Sequence, residues 1–297
     1  MVGSAFHRVS TNHNFVYVGS RDYNLCSAEE CQQMLKDHNP SAIIHLAAKV
    51  GGIKANMDHL GDFYRENILI NTNVLEAART NDVEKVVSLL STCVYPDKVN
   101  YPLTPDQIHD GRPHFSNYAY AYVKRMLDVQ SRAYRHQYGC NYITAIPNNL
   151  FGEHDNFDLE NSHVLPAMIR KMYEAQQSSA PVTLWGDGSP LREFTYSLDL
   201  ARALILLLDS YDEPYPINVG NTYEISIKEV AAKVAEKIGF EGEIIWNTEM
   251  PSGQYRKPSD NSKFKELFNM GYTSIDEALT NTCKWFIINY PHVRGIG

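Results

Sequence analysis

"VVSLLSTCVYP" (86–96) sets the reading of this chain. Its first half is a continuous apolar run of strand length, the kind that lies buried on both faces inside a parallel sheet. Its second half begins with the hydroxyl of Ser91 and, two residues on, the thiol of Cys93. Ligands of open α/β sheets bind beyond the carboxyl ends of the strands, so both side chains fall where chemistry is expected.

Similar runs recur on either side. "FVYVGS" (15–20), "SAIIHLAA" (41–48) and "NYITAIP" (141–147) read as further short buried strands. Between them, "SAEECQQMLKDH" (27–38), "ENILINTNVLEAART" (66–80) and "YAYVKRMLDVQSRAYRHQYG" (120–139) carry helical spacing. Strand and helix in strict alternation predict an α/β fold with a doubly wound parallel sheet. After about residue 152 the rhythm changes. "SIKE" (226–229) and "SIDE" (274–277) read as capping boxes opening helices, with strand-like "PINVG" (216–220) and "EIIW" (243–246) nearby. The expected organisation is a dinucleotide-binding domain over 1–152 and a smaller α+β substrate lobe over 153–297, part of which crosses back to the sheet.

Composition narrows the function classes. The chain has 297 residues, 43% of them hydrophobic and 21% charged, enough to bury a full core. A formal net charge of -8 argues against an electrostatic nucleic-acid binder. Cys26, Cys31, Cys93, Cys140 and Cys283 are scattered without metal-ligand spacing, so no metal site is expected. An odd set of free thiols suits the reducing cytoplasm. No apolar run long enough for a membrane span and no secretory signal are seen.

Tyr120 and Lys124 stand four apart in "YAYVK" (120–124), hence on one helical face. An ammonium beside a phenol favours the phenolate and lowers its pKa, which suits proton transfer near neutrality. With Ser91 at a strand end, the trio is what reduction of a ketone needs: hydroxyls that polarise the carbonyl and a proton for its oxygen. Cys93 and His163, in "NSHVLPA" (161–167), add a thiol and an imidazole with pKa values near enough to neutrality for acid or base work, though on the residues alone they read as well as a core cysteine at a strand end and a helix-capping histidine.

Taken in order, "HLAAKVGGI" (45–53), "NVLEAA" (73–78), "STCVYP" (91–96), "YAYVK" and "PNNLFGEHDNF" (147–157) resemble the short-chain dehydrogenase/reductase superfamily, in its extended branch acting on nucleotide sugars. Together with "NSHVLPA", the match is closest to the members that convert GDP-4-keto-6-deoxy-D-mannose to GDP-L-fucose, near their animal form, and it covers essentially the whole chain. The resemblance implies a Rossmann-type fold, NADP(H) as cofactor, a GDP-sugar substrate and a homodimer built on the helices of "NILINTNVLEAA" and "YAYVK". It implies Cys93 as base and His163 as acid in a 3,5-epimerisation, followed by reduction of carbon 4 with Ser91, Tyr120 and Lys124.

The same resemblance assigns Leu89, Leu90, Ser91, Thr92, Lys124, Pro147, Asn148, Asn149, Leu150 and His163 to the cofactor, and Lys171, Trp185, Arg192 and Lys257 to the substrate. Ser252 stands where some relatives contact guanine through aspartate. Gly3 fits the third glycine of a dinucleotide fingerprint, and Arg21, eighteen residues on between Ser20 and Asp22, suits a 2'-phosphate. Relatives carry an apolar strand and Gly-x-x-Gly just before the counterpart of Met1, so the first strand of the sheet is expected to be missing from this sequence. Two other readings are a 4-epimerase or 4,6-dehydratase of the same branch, and a non-catalytic protein that keeps the fold. A dehydratase would carry acidic residues after the serine–threonine pair, where Cys93 and Val94 stand.

Overall fold

The computed structural model describes residues 1–250 and 255–296. Its central feature is a parallel sheet of β1 (Ala42–His45), β2 (Lys85–Leu89), β3 (Asn141–Pro147) and β7 (Ile217–Val219), in that spatial order. Successive side chains of a strand point to opposite faces, and here both faces are covered. Val87, Leu89, Ile143 and Ala145 pack with α1 (Val2–Ala5) and α7 (Ser197–Ser210). Val86, Leu90, Tyr142 and Ile146 pack with α2 (Ala28–His38), α4 (Leu60–Thr80) and α5 (Tyr118–Tyr138). Burial on both sides is why these strands read as unbroken apolar runs.

"FVYVGS" departs from expectation. Among the described residues no strand pairs with it, and the segment takes no regular secondary structure, with Val16 59% exposed. Phe15 packs edge-on against Phe6 at 5.1 Å between ring centroids, and Tyr17 lies against His7 at 3.9 Å. An apolar run becomes a strand only when a neighbouring strand satisfies its backbone groups.

A second core lies beyond β3. It is enclosed by β4 (Asn149–Phe151), β6 (Leu191–Tyr196) and β8 (Glu224–Ser226), by the parallel pair β5 (Val182–Trp185) and β9 (Ile244–Asn247), and by α6 (Val164–Ser178), α8 (Ile227–Ile238) and α10 (Ile275–Asn289). α8 starts on a full capping box: Ser226 Oγ accepts from Glu229 N at 3.1 Å and Glu229 Oε2 accepts from Ser226 N at 2.9 Å. Ser274 caps α10 by accepting from Glu277 N at 3.2 Å. Two short helices complete the fold, α3 (Ile53–Asp58) after β1 and α9 (Ser262–Phe268), whose Phe264 packs on the α7 face of the sheet.

Candidate active site

β2 ends at Leu89, and the chain turns at once into a short helical turn, Thr92–Val94. Ser91 caps that turn, its Oγ accepting from Cys93 N at 3.5 Å, so hydroxyl and thiol are held on one bend. α5 supplies the opposite side: Lys124 Nζ donates to Leu89 O at 2.7 Å and lies 5.7 Å from the centre of the Tyr120 ring. His163 is the residue before the first turn of α6. Its loop is fastened to the turn after β1, where Gly52 N donates to Asn161 O at 3.0 Å. A Cβ on Gly52 would come within 3.0 Å of Ser162 O, so only glycine permits this approach without displacement. Ser91, Cys93, Tyr120 and His163 thereby line one cavity of ≈ 130 Å³.

Val50, Gly51, Asn56, Phe63 and Asn117 share that cavity and were not assigned from sequence. Val50 and Gly51 belong to "HLAAKVGGI", so a signal was present in the glycine pair. Asn56 holds that turn, its Nδ2 donating to Gly51 O and Gly52 O at 2.9 and 3.0 Å. Asn117, just before α5, gives no sign in sequence that it reaches the pocket.

Burial dominates the electrostatics. It lowers the Lys124 pKa to about 8, with Cys93 pulling the other way. The Cys93 thiol is pushed up by burial, against the opposing effects of Ser91, Lys257 and Lys124. Burial, and after it Cys93, raises Tyr120. The expected lowering of Tyr120 by Lys124 is therefore corrected: desolvation of the phenolate wins, and the lysine directs a hydrogen bond at a carbonyl. His45 on β1, bonded to Asn71 Oδ1 at 3.0 Å, is lowered to about 4 by burial and then by Lys124, so it stays neutral.

The remaining predicted residues separate into groups. Leu89, Leu90 and Thr92 surround Ser91 at the end of β2, and Gly3 lies in α1, where a Cβ would find Leu46 Cδ1 at 4.0 Å. Pro147, Asn148, Asn149 and Leu150 span the passage from β3 to β4. The Asn148 side chain is taken up by protein partners: Nδ2 donates to Glu193 Oε2 and Asn221 O, and Oδ1 accepts from Thr195 Oγ1 at 2.5 Å. Arg21 is exposed in a turn closed by Asp22 Oδ2 accepting from Gly19 N at 2.7 Å. Farther out, Lys171 Nζ donates to Thr183 O at 3.2 Å on the strand that ends in half-exposed Trp185. Arg192 Nη1 donates to Leu191 O at 2.7 Å, and Lys257 Nζ reaches Thr92 O at 3.5 Å, which brings Lys257 to the Cys93 turn. Ser252 lies outside the described residues.

Comparison with known proteins agrees with this arrangement. Residues 1–220 match the NAD dependent epimerase/dehydratase family. The chain is 43% identical over 287 residues to the GDP-L-fucose synthase of Dictyostelium discoideum, covering 96% of this chain and 90% of that one. It is 33% identical to the GDP-L-fucose synthase of Escherichia coli (strain K12), covering 99% and 96%. Among solved structures, a GDP-L-fucose synthetase from Naegleria fowleri bound to NADP matches with a TM-score of 0.94 and 39% identity, over 99% of this chain and 91% of that chain. The chain belongs to the NAD dependent epimerase/dehydratase family and, within it, to the GDP-L-fucose synthases.

Proposed function

We propose that this protein catalyses the NADPH-dependent 3,5-epimerisation and 4-reduction of GDP-4-keto-6-deoxy-D-mannose to GDP-L-fucose. The observation that carries the reading is the single cavity shared by Ser91, Cys93, Tyr120 and His163. A plain ketone reductase would use the serine and tyrosine; the thiol and imidazole in the same space supply the base and acid that epimerisation needs.

The residues present fit a dinucleotide. The carboxyl ends of β1, β2 and β3 lie side by side, and Gly3 of α1 faces Leu46, just past β1, whose Cδ1 is 4.0 Å from a Cβ placed there. An ammonium has three donors, and Lys124 gives one to Leu89 O. When bound, NADPH supplies the hydride equivalent for carbon 4. Leu89–Thr92, Lys124, Pro147–Leu150, His163, Gly3 and Arg21 would hold it, with the Asn148 contribution coming from its backbone.

As thiolate, Cys93 removes the proton from carbon 3, leaving an enolate whose oxygen is held by the hydroxyls of Ser91 and Tyr120. The step repeats at carbon 5 after Cys93 has released its proton to solvent and His163 has taken one up. His163 returns a proton to the other face of each centre, inverting it. Tyr120 then gives its proton to the carbonyl oxygen as carbon 4 is reduced, beside the Lys124 ammonium. Arg192 and Lys257 would take the diphosphate, and Lys171 and Trp185 the outer part of the nucleotide.

We further propose a homodimer through α4 and α5, since Tyr122, Met126 and Val129 form an exposed stripe along α5. Five free cysteines, and no helix of the described residues long and apolar enough to cross a membrane, support a cytoplasmic location. The three hydrophobic clusters support a division near residue 152, with α7 and β7 returning to the first domain. Following NADPH absorbance with GDP-4-keto-6-deoxymannose tests the activity. Substrate-dependent oxidation that yields GDP-L-fucose supports it, and oxidation that leaves carbons 3 and 5 uninverted rejects it.

A further inference from the structure

One buried acid has no part in the mechanism above. Glu193 follows Arg192 on β6 and is 2% exposed. Its Oε1 accepts from Ser259 N at 3.0 Å, and its Oε2 accepts from Ser259 Oγ at 2.6 Å and from Asn148 Nδ2 at 3.2 Å. Its backbone carbonyl accepts from Asn149 Nδ2 at 2.9 Å. Each side-chain partner points a donor at it, the environment an ionised carboxylate requires. Burial raises its pKa while these donors oppose the rise.

Ser259 stands two residues beyond Lys257, in a segment tied down from several sides. Leu103 N donates to Pro258 O at 2.8 Å, and Asn218 Nδ2 donates to Asp260 O at 3.0 Å. Asn218 Oδ1 accepts from Tyr95 OH at 2.5 Å, and Tyr95 is two residues past Cys93. The buried network thus joins the Cys93 turn, the chain carrying Lys257 and the strand carrying Arg192. Those two cations repel: after burial, Arg192 is what lowers the pKa of Lys257, against the pull of Cys93 and Asp97. Buried apolar side chains could pack these segments at lower desolvation cost, so the carboxylate is explained by the direction of its bonds.

We propose that Glu193 is a positioning residue that holds the Lys257 segment against the Arg192 strand, making the two cations a preformed clamp for the diphosphate of the substrate. The inference rests on the GDP-sugar reading above. It is tested by measuring GDP binding calorimetrically in wild type, Glu193→Ala, Lys257→Ala and the double variant, each checked for a cooperative thermal transition. Glu193→Ala is expected to weaken GDP about tenfold while the double variant is no weaker than Lys257→Ala alone, because Glu193 acts through Lys257. Losses that simply add, or GDP affinity unchanged in folded Glu193→Ala, overturn the proposal. Should Glu193→Ala not fold, Ser259→Ala removes one donor and keeps the acid; about a threefold weakening that vanishes in the Lys257→Ala background is then expected, and equal weakening in both backgrounds overturns it. A wild-type protein that oxidises NADPH with the keto sugar yet binds no GDP overturns the clamp alone, whereas one that does neither overturns the GDP-sugar reading as well.

Discussion

The cavity around Cys93 and the outer rim formed by Lys171, Arg192 and Lys257 are built differently. In the cavity, Ser91 and Cys93 ride on a capped turn at the end of a buried strand, and Lys124 is locked to the carbonyl of that strand. At the rim, Lys171, Arg192 and Lys257 come from three separate segments, α6, β6 and the chain before α9, and each, like Lys124, donates to a backbone carbonyl, at 3.2, 2.7 and 3.5 Å. Proton transfer slows steeply when a donor is misplaced by an ångström, whereas a diphosphate is held by the charge and hydrogen bonds of cations spaced along it. On the proposed reading the sheet and α5 supply Ser91, Cys93, Tyr120 and Lys124, the second lobe adds His163 to the same cavity, and the rim serves recognition.

The contrast predicts losses of different kind. Tyr120→Phe and Cys93→Ser should each reduce turnover about 10²- to 10⁴-fold, the first in NADPH oxidation and the second in solvent-proton exchange at carbons 3 and 5, with little change in KM. A large KM effect from either would break the distinction. Arg192→Ala should do the reverse, raising KM for the GDP-sugar about tenfold to a hundredfold with kcat nearly kept, as loss of charged hydrogen bonds to a diphosphate implies. The rim variant should also show a weaker salt dependence of KM than wild type.

Changing pH should divide the cavity itself. With its pKa raised by burial, Cys93 is mostly thiol at neutrality, so exchange at carbons 3 and 5 should quicken as pH rises. Lys124, lowered to about 8, holds its proton below that pH and loses it above, so the reductive step should slow on the alkaline side. Separate pH profiles of deuterium exchange and NADPH oxidation would show the two diverging above about pH 8; parallel profiles would mean one group controls both. The smallest expected effect lies away from both regions: Ser226→Ala breaks the α8 cap and should cost about 1 kcal/mol in denaturant unfolding, with turnover unchanged.

Much of this was legible in sequence, for a physical reason. β2 and β3 are buried on both faces, so unbroken apolar runs marked them within a residue or two. "FVYVGS" had the same pattern, but a strand also requires a neighbour, which no single segment declares. α4 begins at Leu60 rather than near Glu66, because its first turns mix charged and aromatic residues and hide the period. Ser91, Tyr120 and Lys124 stand out through their chemistry and order along the chain, Cys93 and His163 through the family resemblance, and the fold brings Ser91, Cys93, Tyr120 and His163 to one cavity. Asn56 and Asn117 reach the cavity only through tertiary packing. Glu193 looks in sequence like any charged residue on a strand, and only the fold shows that it is buried among donors.

The most direct test of the central claim, that one cavity both inverts and reduces the sugar, is the reaction run in deuterium oxide with NADPH and GDP-4-keto-6-deoxymannose, with the product examined by mass and NMR. The account predicts NADPH consumption and GDP-L-fucose carrying solvent deuterium at carbon 3 and at carbon 5. NADPH consumed with an unlabelled, uninverted product would contradict it.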